Sequence, residues 1–308
     1  MNSPSPPQFM ADSLTLGIDV GTSATKVLLL RSDGQWDMDC WPSSEGVWNN
    51  LRAWLGSNGE MVDRVGITGH GPSAIVIRNG EVCGRVIPWH EPLPEGCERR
   101  VENDHILPPT RAWVPSRIAQ WEQENGPIGD GVAVQLKDML NWELTGVIAR
   151  DSRSMRGYSG ANHFHLPGEV IGQVSETGSI LSGISVDAEV ICGCDDLSAG
   201  VLGLSAVKGD IFNLANTSEH VGLVGGEPQE MMSWLPALGR LPPLCYNATS
   251  TGGGTLSEDI SESKLSEDAW EAIQELNIPI EDIRRRFPPR EMLIGGGLAM
   301  IPQLVESH

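Results

Sequence analysis

The chain has 308 residues, of which 40% are hydrophobic and 20% charged, a composition typical of a globular protein rather than a disordered one. It carries 21 Lys and Arg against 41 Asp and Glu, a formal net charge of −20, which disfavours binding to nucleic acid or to an anionic membrane surface. No apolar run reaches the ~18 residues of a membrane helix, and the start has no signal-peptide pattern, so we expect a cytoplasmic protein.

The six cysteines are scattered along the chain, which predicts reduced thiols rather than a disulfide framework. Cys192 and Cys194 form the one close pair. Because no second ligand pair accompanies them, the pair predicts two small buried side chains rather than a metal site.

Apolar runs separated by turn residues predict an α/β order of elements. After a loose tail at 1–12, two apolar runs flank Gly21-Thr22-Ser23-Ala24 and predict a β-hairpin, and Asn79-Gly80 predicts a second one. The remaining predicted elements of this part are a strand at 36–41, a helix at 47–55, a strand at 64–68, helices at 115–124 and 132–144, and a strand at 188–192.

A similar unit recurs later in the chain. Two apolar runs at 211–215 and 221–224 flank a polar turn with Thr217 and Ser218, which echoes the first hairpin. The echo predicts two related domains, at 13–205 and 206–308.

The segment from Asp19 to Lys26 (DVGTSATK) carries the most chemical information. Gly21 permits a tight turn whose backbone N–H groups converge, and such a concavity binds anions. The Thr22 and Ser23 hydroxyls add donors, and a carboxylate before the turn can hold a hydrated cation against phosphates. An ordinary hairpin with polar turn residues explains the same pattern, so both interpretations stay open.

A second cluster, Asp195 and Asp196, follows an apolar strand. Carboxylates at the carboxyl end of such a strand project into the crevice where open α/β sheets bind ligands, and an aspartate there can take a proton from a phosphoryl acceptor. Asp196 fits the N-cap of a following helix equally well.

Glycine-rich turns at 252–254 and 295–297 let a bulky ligand approach the backbone closely and suit a phosphate or a nucleoside. Neither a Walker A sequence nor G-x-G-x-x-G is present. A nucleotide site in this chain therefore has to be assembled from separate hairpins.

The order of these motifs resembles the FGGY carbohydrate kinase family, in particular its xylulokinase and ribulokinase-like members. The matching segments are LGIDVGTSATKVLLL at 16–30, VGITGHGPSAIVIRNGEVCGRVIPWHEP at 65–92, QLKDMLNWELTGVIARDSRSM at 135–155, GCDDLSAG at 193–200, NLANTSEHV at 213–221 and LIGGGLAMIPQL at 293–304. They are similar, in this order, to the first phosphate loop, the sugar segment, a Lys-Asp and Asp-x-Ser segment, the catalytic aspartate, the second phosphate loop and the adenosine motif.

The resemblance implies an α/β fold of the actin-like ATPase (ribonuclease H-like) type, duplicated into two domains around a cleft. It implies ATP-dependent phosphorylation of a small sugar or polyol, with a ketopentose as the leading candidate substrate. It also implies ATP and Mg²⁺ as cofactors. Asp196 is then the general base, and Asp19 holds Mg²⁺ through water. The other implied contacts are Gly21, Thr22, Ser23, Lys26, Thr217 and Ser218 for phosphate; Gly252, Gly253, Gly254, Gly295, Gly296 and Gly297 for the nucleotide; and His70, Ser73, Trp89, His90, Glu91 and Asp196 for the sugar.

This chain departs from the family pattern in the sugar segment. Gly-Gln-Met-His-Gly becomes Gly-His-Gly-Pro-Ser at 69–73, and His90-Glu91 replaces Asn-Asp. The identity of the sugar therefore cannot be inferred from any well-known subfamily. Asn216 replaces a glycine of the second phosphate loop. The chain is also shorter than usual members, which predicts a shortened second domain and favours a homodimer.

Several of these residues have a structural interpretation too. His70 and His90 fit hydrogen-bond partners of a turn, Trp89 fits a core residue, and Lys26 fits a surface ion pair. Two other functions are also open: a degenerate kinase fold that binds sugar or nucleotide without turnover, and an ATPase of the same superfold that acts on a protein partner. The presence of both Asp19 and Asp196 favours a kinase over a degenerate fold. The Trp-His-Glu segment at 89–91 favours a kinase over an ATPase that acts on a protein partner.

Overall fold

The computed structural model describes residues 14–99, 114–158, 160, 163–215, 219–225, 227–228, 232–249 and 292–295. The tail expected at 1–12 lies outside them. Among these residues the chain divides into two compact units, of which the first ends at Asp195 and the second begins at Asp196.

The first unit contains nine strands and four α-helices among the described residues. The strands are β1 (Leu14–Val20), β2 (Ala24–Arg31), β3 (Trp36–Pro42), β4 (Val62–Gly69), β5 (Ala74–Arg78), β6 (Glu81–Ile87), β7 (Val132–Val134), β8 (Val170–Gln173) and β9 (Glu189–Ile191). The helices are α1 (Trp48–Leu55), α2 (Val114–Asn125), α3 (Leu136–Thr145) and α4 (Glu176–Ser182), and short 3-10 turns lie at Ser43–Glu45 and Gly56–Met61.

Six of these strands form one sheet in the order β3-β2-β1-β4-β9-β8, and three form a smaller sheet in the order β6-β5-β7. In β1 every second side chain is buried, from Leu14 through Leu16 and Ile18 to Val20. Because successive side chains of a strand point to opposite faces, Asp19 lies on the other face from this core row.

The predicted hairpin at Asn79-Gly80 is confirmed, since these two residues join β5 to β6 with φ of 53° and 76°. Two successive positive φ angles are what a two-residue hairpin turn requires, and Asn and Gly reach them at low cost.

The prediction of a helix at 132–144 is wrong in its first part. Val132–Val134 forms β7 and pairs with β5, because Ala133 and Val134 are buried there and valine suits a strand. The helix begins at Leu136, where Asp138 Oδ2 accepts the backbone N–H of Gln135 at 3.1 Å and caps the first turn.

The second unit contains α5 (Asp196–Gly203), β10 (Ile211–Ala215), β11 (Glu219–Val224), β12 (Ser233–Leu235), β13 (Leu244–Thr249) and β14 (Met292–Gly295) within the described part of the chain. Its sheet has the order β12-β13-β11-β10-β14. Leu197 and Val201 of α5 pack against Phe212 and Leu214 of β10 in one core cluster. This packing places α5 in the second unit, so the unit begins before the boundary expected near residue 205.

The two units repeat one strand arrangement. In the first, β1 pairs antiparallel with β2 and parallel with β4. In the second, β10 pairs antiparallel with β11 and parallel with β14. The expected α/β fold with a duplicated sheet motif is therefore confirmed. None of the helices in the described ranges has the length and apolar character that crossing a membrane requires.

Candidate active site

The loop between β1 and β2 is a tight turn held by its own backbone. Gly21 N–H donates to the Ala24 carbonyl at 3.1 Å, and a Cβ at Gly21 would lie 2.9 Å from that same oxygen. Ser43 closes the loop from outside, since its Oγ donates to the Gly21 carbonyl at 2.8 Å and its N–H to the Ser23 carbonyl at 3.0 Å. The loop therefore has little freedom to reshape around a ligand.

Asp19 lies at the end of β1 directly beside this loop. It is the cross-strand neighbour of Lys26, and Lys26 Nζ lies 3.0 Å from Asp19 Oδ2. Asp19 Oδ1 is buried and has no hydrogen-bond partner in the described structure. A carboxylate oxygen without a partner, beside the expected phosphate loop, fits Mg²⁺, which is commonly held by one or two carboxylates plus substrate phosphates.

No group of three or more His, Cys, Asp and Glu side chains within the described ranges is arranged to hold a metal ion without such phosphates. The expected role of Lys26 at the phosphoryl group stays a prediction, and its surface ion pair with Asp19 is present.

The expected sugar segment at 65–92 and the expected phosphate loop between β1 and β2 are joined by a hydrogen bond. Trp89 Nε1 donates to Thr22 Oγ1 at 2.9 Å. The Trp89 backbone carbonyl accepts from Arg117, a buried residue of α2, which fixes the chain at this point. The ring of His90 lies 5.7 Å from that of Trp89 and 6.5 Å from that of His70. Thr22, His70 and Trp89, which are far apart in the sequence, thus lie close together beside the β1–β2 loop.

His70 is a neutral hydrogen-bonding group at pH 7. Burial, with a smaller contribution from His90, lowers the pKa of His70 to about 4. Its backbone N–H donates to the Val20 carbonyl at 2.8 Å, while its side-chain Nδ1 is buried with no hydrogen-bond partner among the described residues. A neutral imidazole offers one donor and one acceptor, which suits an uncharged hydroxyl.

Ser73 and Glu91 are engaged with the scaffold. Ser73 is fully buried, and its Oγ accepts the N–H of Leu136 at 3.0 Å. Glu91 receives Arg85 on both oxygens, at 2.5 and 2.7 Å, and Gln120 at 3.3 Å. The hydrogen bonds from Arg85 lower the pKa of Glu91, so it is a carboxylate that anchors the segment after Trp89. Direct sugar contact by these two residues stays a prediction.

The segment that leads to Asp196 is fixed by the end of β4. Gly193 has to be glycine, because a Cβ there would lie 1.8 Å from the Ile67 carbonyl oxygen. Thr68 Oγ1 donates to the Cys194 carbonyl at 2.8 Å, and Asp195 forms a parallel bridge with Gly69.

Asp196 is the first residue of α5, and its Oδ1 accepts the N–H of Leu197 at 2.8 Å. An N-cap side chain accepts an N–H two or three residues further on, so the role of Asp196 as the N-cap stays a prediction, as does its role as a base.

The two thiols beside this segment are buried. Cys192 and Cys194 are buried, and burial raises the pKa of both, that of Cys192 to about 12. A protonated buried thiol is neither a nucleophile nor a good metal ligand, which agrees with the structural interpretation of this pair.

Most of the residues expected to bind the nucleotide lie outside the described part of the chain. These are Thr217, Ser218, Gly252, Gly253, Gly254, Gly296 and Gly297. Gly295 is the last residue of β14, which pairs with β10.

The structure adds a buried charge cluster to which sequence reasoning assigned no role. Lys137 Nζ lies 2.6 Å from Asp138 Oδ1 and 2.9 Å from Asp151 Oδ2, and their side chains are 2%, 0% and 0% exposed. Burial alone lowers the pKa of Lys137, but the two carboxylates outweigh it and raise that pKa well above its ordinary value. The signal was present in the Lys-Asp and Asp-x-Ser segment at 135–155.

Solved structures of sugar kinases share this fold. One is xylulose kinase from Rhodospirillum rubrum, which matches over 85% of this chain and 66% of that one, at 16% identity and a TM-score of 0.68. Another is ligand-bound xylulose kinase from Lactobacillus acidophilus, which matches over 86% of this chain and 66% of that one, at 13% identity and a TM-score of 0.67. Glycerol kinase from Plasmodium falciparum with ADP matches over 98% of this chain and 85% of that one, at 12% identity and a TM-score of 0.72. No family model and no curated protein matches the sequence.

The chain therefore has the fold of carbohydrate kinases. The resemblance to the FGGY kinases that its motifs predicted is confirmed at the level of the fold, and the chain spans 66% of the length of the two xylulose kinases.

The bond between Trp89 and Thr22 makes a measurable prediction. We expect Thr22→Val and Trp89→Phe to be coupled by ~0.5–1.5 kcal/mol in the free energy of unfolding, because either change removes the same hydrogen bond. Urea denaturation of the two single variants and the double variant measures this coupling. Strict additivity would show that the loop and the sugar segment are held together by other contacts.

Proposed function

We propose that this protein is an ATP-dependent kinase that phosphorylates a hydroxyl group of a small sugar or polyol. A ketopentose is the leading candidate substrate. The observation that carries the proposal is the Trp89–Thr22 hydrogen bond of 2.9 Å, because it joins the segment expected to bind the sugar to the loop expected to bind phosphate. The carbohydrate-kinase fold supports the same assignment.

The acceptor side is built from Trp89, His90 and His70. The indole of Trp89 offers an apolar face to the C–H groups of a polyol, and the neutral His70 offers hydrogen bonds to its hydroxyls. Arg85 and Glu91 brace this segment against α2, so the groups are held in place before the substrate arrives. Such preorganisation lowers the entropic cost of binding.

The phosphate side is built from Asp19, Gly21, Thr22, Ser23 and Lys26. Asp19 would hold Mg²⁺ through water, and Mg²⁺ bound there would supply positive charge to neutralise the phosphates. The loop N–H groups and hydroxyls contact the transferring phosphoryl group. We assign Thr217, Ser218 and the two triple-glycine turns to the rest of ATP, on the strength of the sequence resemblance.

Asp196 acts as the general base. The acceptor hydroxyl oxygen forms a bond to the γ-phosphorus while the bond from that phosphorus to the ADP oxygen breaks. The hydroxyl proton passes to Asp196, so ADP and a phosphate monoester are the products. Catalysis then rests mainly on positioning and charge neutralisation, as in other phosphoryl transfers.

An ADP-release assay with a panel of ketoses, aldoses and polyols tests the proposal. Sugar-stimulated ADP release is the expected result. Hydrolysis of ATP that no sugar stimulates would instead assign an ATPase. Absence of both, together with sugar or nucleotide binding by calorimetry, would assign a degenerate kinase fold without turnover.

Asp19→Asn is expected to raise the Mg²⁺ concentration needed for half-maximal activity by roughly tenfold or more, because a neutral amide attracts a hydrated cation far less than a carboxylate does. A Mg²⁺ titration at saturating sugar and ATP measures the change. Asp33→Asn is the matched control, since Asp33 accepts the N–H of Gln35 in the exposed β2–β3 turn. An unaltered Mg²⁺ dependence in Asp19→Asn would remove this assignment.

A further inference from the structure

The proposed base follows a segment whose backbone is tied to the sugar segment. Thr68 Oγ1 donates to the Cys194 carbonyl at 2.8 Å, and Asp195 bridges Gly69, the residue before His70. The close approach of Gly193 to the Ile67 carbonyl extends this contact, so the segment from Gly193 to Asp195 lies against the end of β4. A shift of Asp195 would therefore move the chain on either side of it.

A buried guanidinium holds the side chain of Asp195. Arg153 Nε lies 3.7 Å from Asp195 Oδ2, and the two side chains are 1% and 16% exposed. Charges this well shielded from water attract each other more strongly than a surface pair at the same separation.

The position of Arg153 is itself set by the buried cluster. Asp151 Oδ1 accepts the N–H of Arg153 at 3.0 Å and that of Ser154 at 2.7 Å, which fixes the turn that carries Arg153. Asp151 Oδ2 lies 2.9 Å from Lys137 Nζ on α3. Lys137 keeps Asp151 ionised, because its ammonium lowers the pKa of that carboxyl against the opposite effect of burial. The contacts thus run from α3 through Asp151 and Arg153 to Asp195.

We propose that Arg153 is a positioning residue: it holds Asp195 beside Gly69, and Asp195 is joined by one peptide bond to Asp196, the proposed base. The inference rests on the proposed function, in which Asp196 is the base. A base has to be held within about 0.5 Å of its productive position, and a displacement of ~1 Å can lower a rate about 10²-fold.

The test compares Arg153→Gln with Arg153→Lys. We expect Arg153→Gln to lower kcat by about 10- to 100-fold, with the KM for the acceptor within about twofold of the wild-type value. Arg153→Lys keeps the positive charge and is expected to recover most of the lost kcat. Arg64→Gln is the matched control, because it removes a guanidinium paired with Glu189 across β4 and β9, with both side chains about 40% exposed.

Two kinetic results would overturn the proposal. One is a kcat for Arg153→Gln equal to that of wild type. The other is an equal loss in Arg153→Gln and Arg153→Lys, accompanied by a higher KM and a lower melting temperature, because that pattern belongs to a residue with a purely structural role.

Hydrogen–deuterium exchange separates this inference from the proposed function. If the wild-type protein transfers no phosphoryl group to any acceptor, the proposed function fails, but the anchoring by Arg153 is still measurable. Faster exchange of peptides covering 192–197 in Arg153→Gln than in wild type and Arg64→Gln supports the anchoring. Equal exchange in all three proteins contradicts it.

Discussion

Asp196→Asn is expected to lower kcat for phosphoryl transfer by about 10²- to 10⁴-fold, the range that a positioned general base contributes. The amide cannot take the proton of the attacking hydroxyl, but its Oδ1 can still accept the N–H of Leu197. Affinity for the acceptor is expected to stay close to that of wild type, since the change is nearly isosteric. Steady-state kinetics and calorimetric binding of the acceptor measure the two quantities.

Two aspartates serve as comparisons for Asp196. Asp130→Asn alters an exposed carboxylate paired with Arg78 at 3.4 Å and is expected to leave kcat unchanged. Asp195→Asn removes the partner of Arg153 and is expected to lose at most about 100-fold, because it displaces the base without deleting it. If Asp196→Asn kept most of its turnover, or if Asp195→Asn were the more damaging change, Asp196 would not be the base.

Lys137→Met is expected to lower the free energy of unfolding by ~3–5 kcal/mol, the cost of leaving buried carboxylates without their cation. Asp138 and Asp151 are fully buried and both contact Lys137 Nζ. Urea denaturation followed by tryptophan fluorescence measures the loss. Lys26→Met is the contrast, because its ion pair with Asp19 is partly exposed, at 45% and 33%, and is expected to cost at most ~1 kcal/mol.

The loss in Lys137→Met is expected to depend on pH. Without the ammonium, burial raises the pKa of Asp138 and Asp151, so the folded state binds more protons than the unfolded state, and stability falls as pH rises. The deficit should therefore be larger at pH 8 than at pH 5. Adding Asp138→Asn and Asp151→Asn should restore much of the stability at pH 8, and a deficit that neither pH nor these changes alter would refute the electrostatic explanation.

The parts of the fold that local sequence determines were predictable. The loop at Gly21 and the turn at Asn79-Gly80 follow from alternating apolar residues interrupted by residues that tolerate tight turns. The strand β7 was not, because Val132–Val134 precedes a true helix and its apolar residues fit the helical period by accident. Pairing with β5, a partner distant along the chain, decides its conformation.

The site was predictable as a set of segments but not as a set of roles. Ser73 and Glu91 were predicted to contact the sugar because of their place in the segment at 65–92. Only the folded chain shows that Ser73 accepts a hydrogen bond from Leu136, and that Glu91 accepts hydrogen bonds from Arg85 and Gln120. The same limit explains why Lys137 received no role, since a lysine beside an aspartate ordinarily lies on a solvated helix face. Whether such a pair is buried depends on what packs over it, which no local pattern encodes.

The division of the chain into two compact units affects how the stability of this protein has to be measured. Each unit has apolar clusters of its own among the described residues, around Leu16 and Trp121 in the first and around Phe212 and Ile211 in the second. Chains with more than one domain commonly depart from all-or-none melting, so each unit is treated as one block in a melting experiment. A single midpoint from a heating scan would average the two, whereas calorimetry that resolves two transitions would assign each substitution to the block that it weakens.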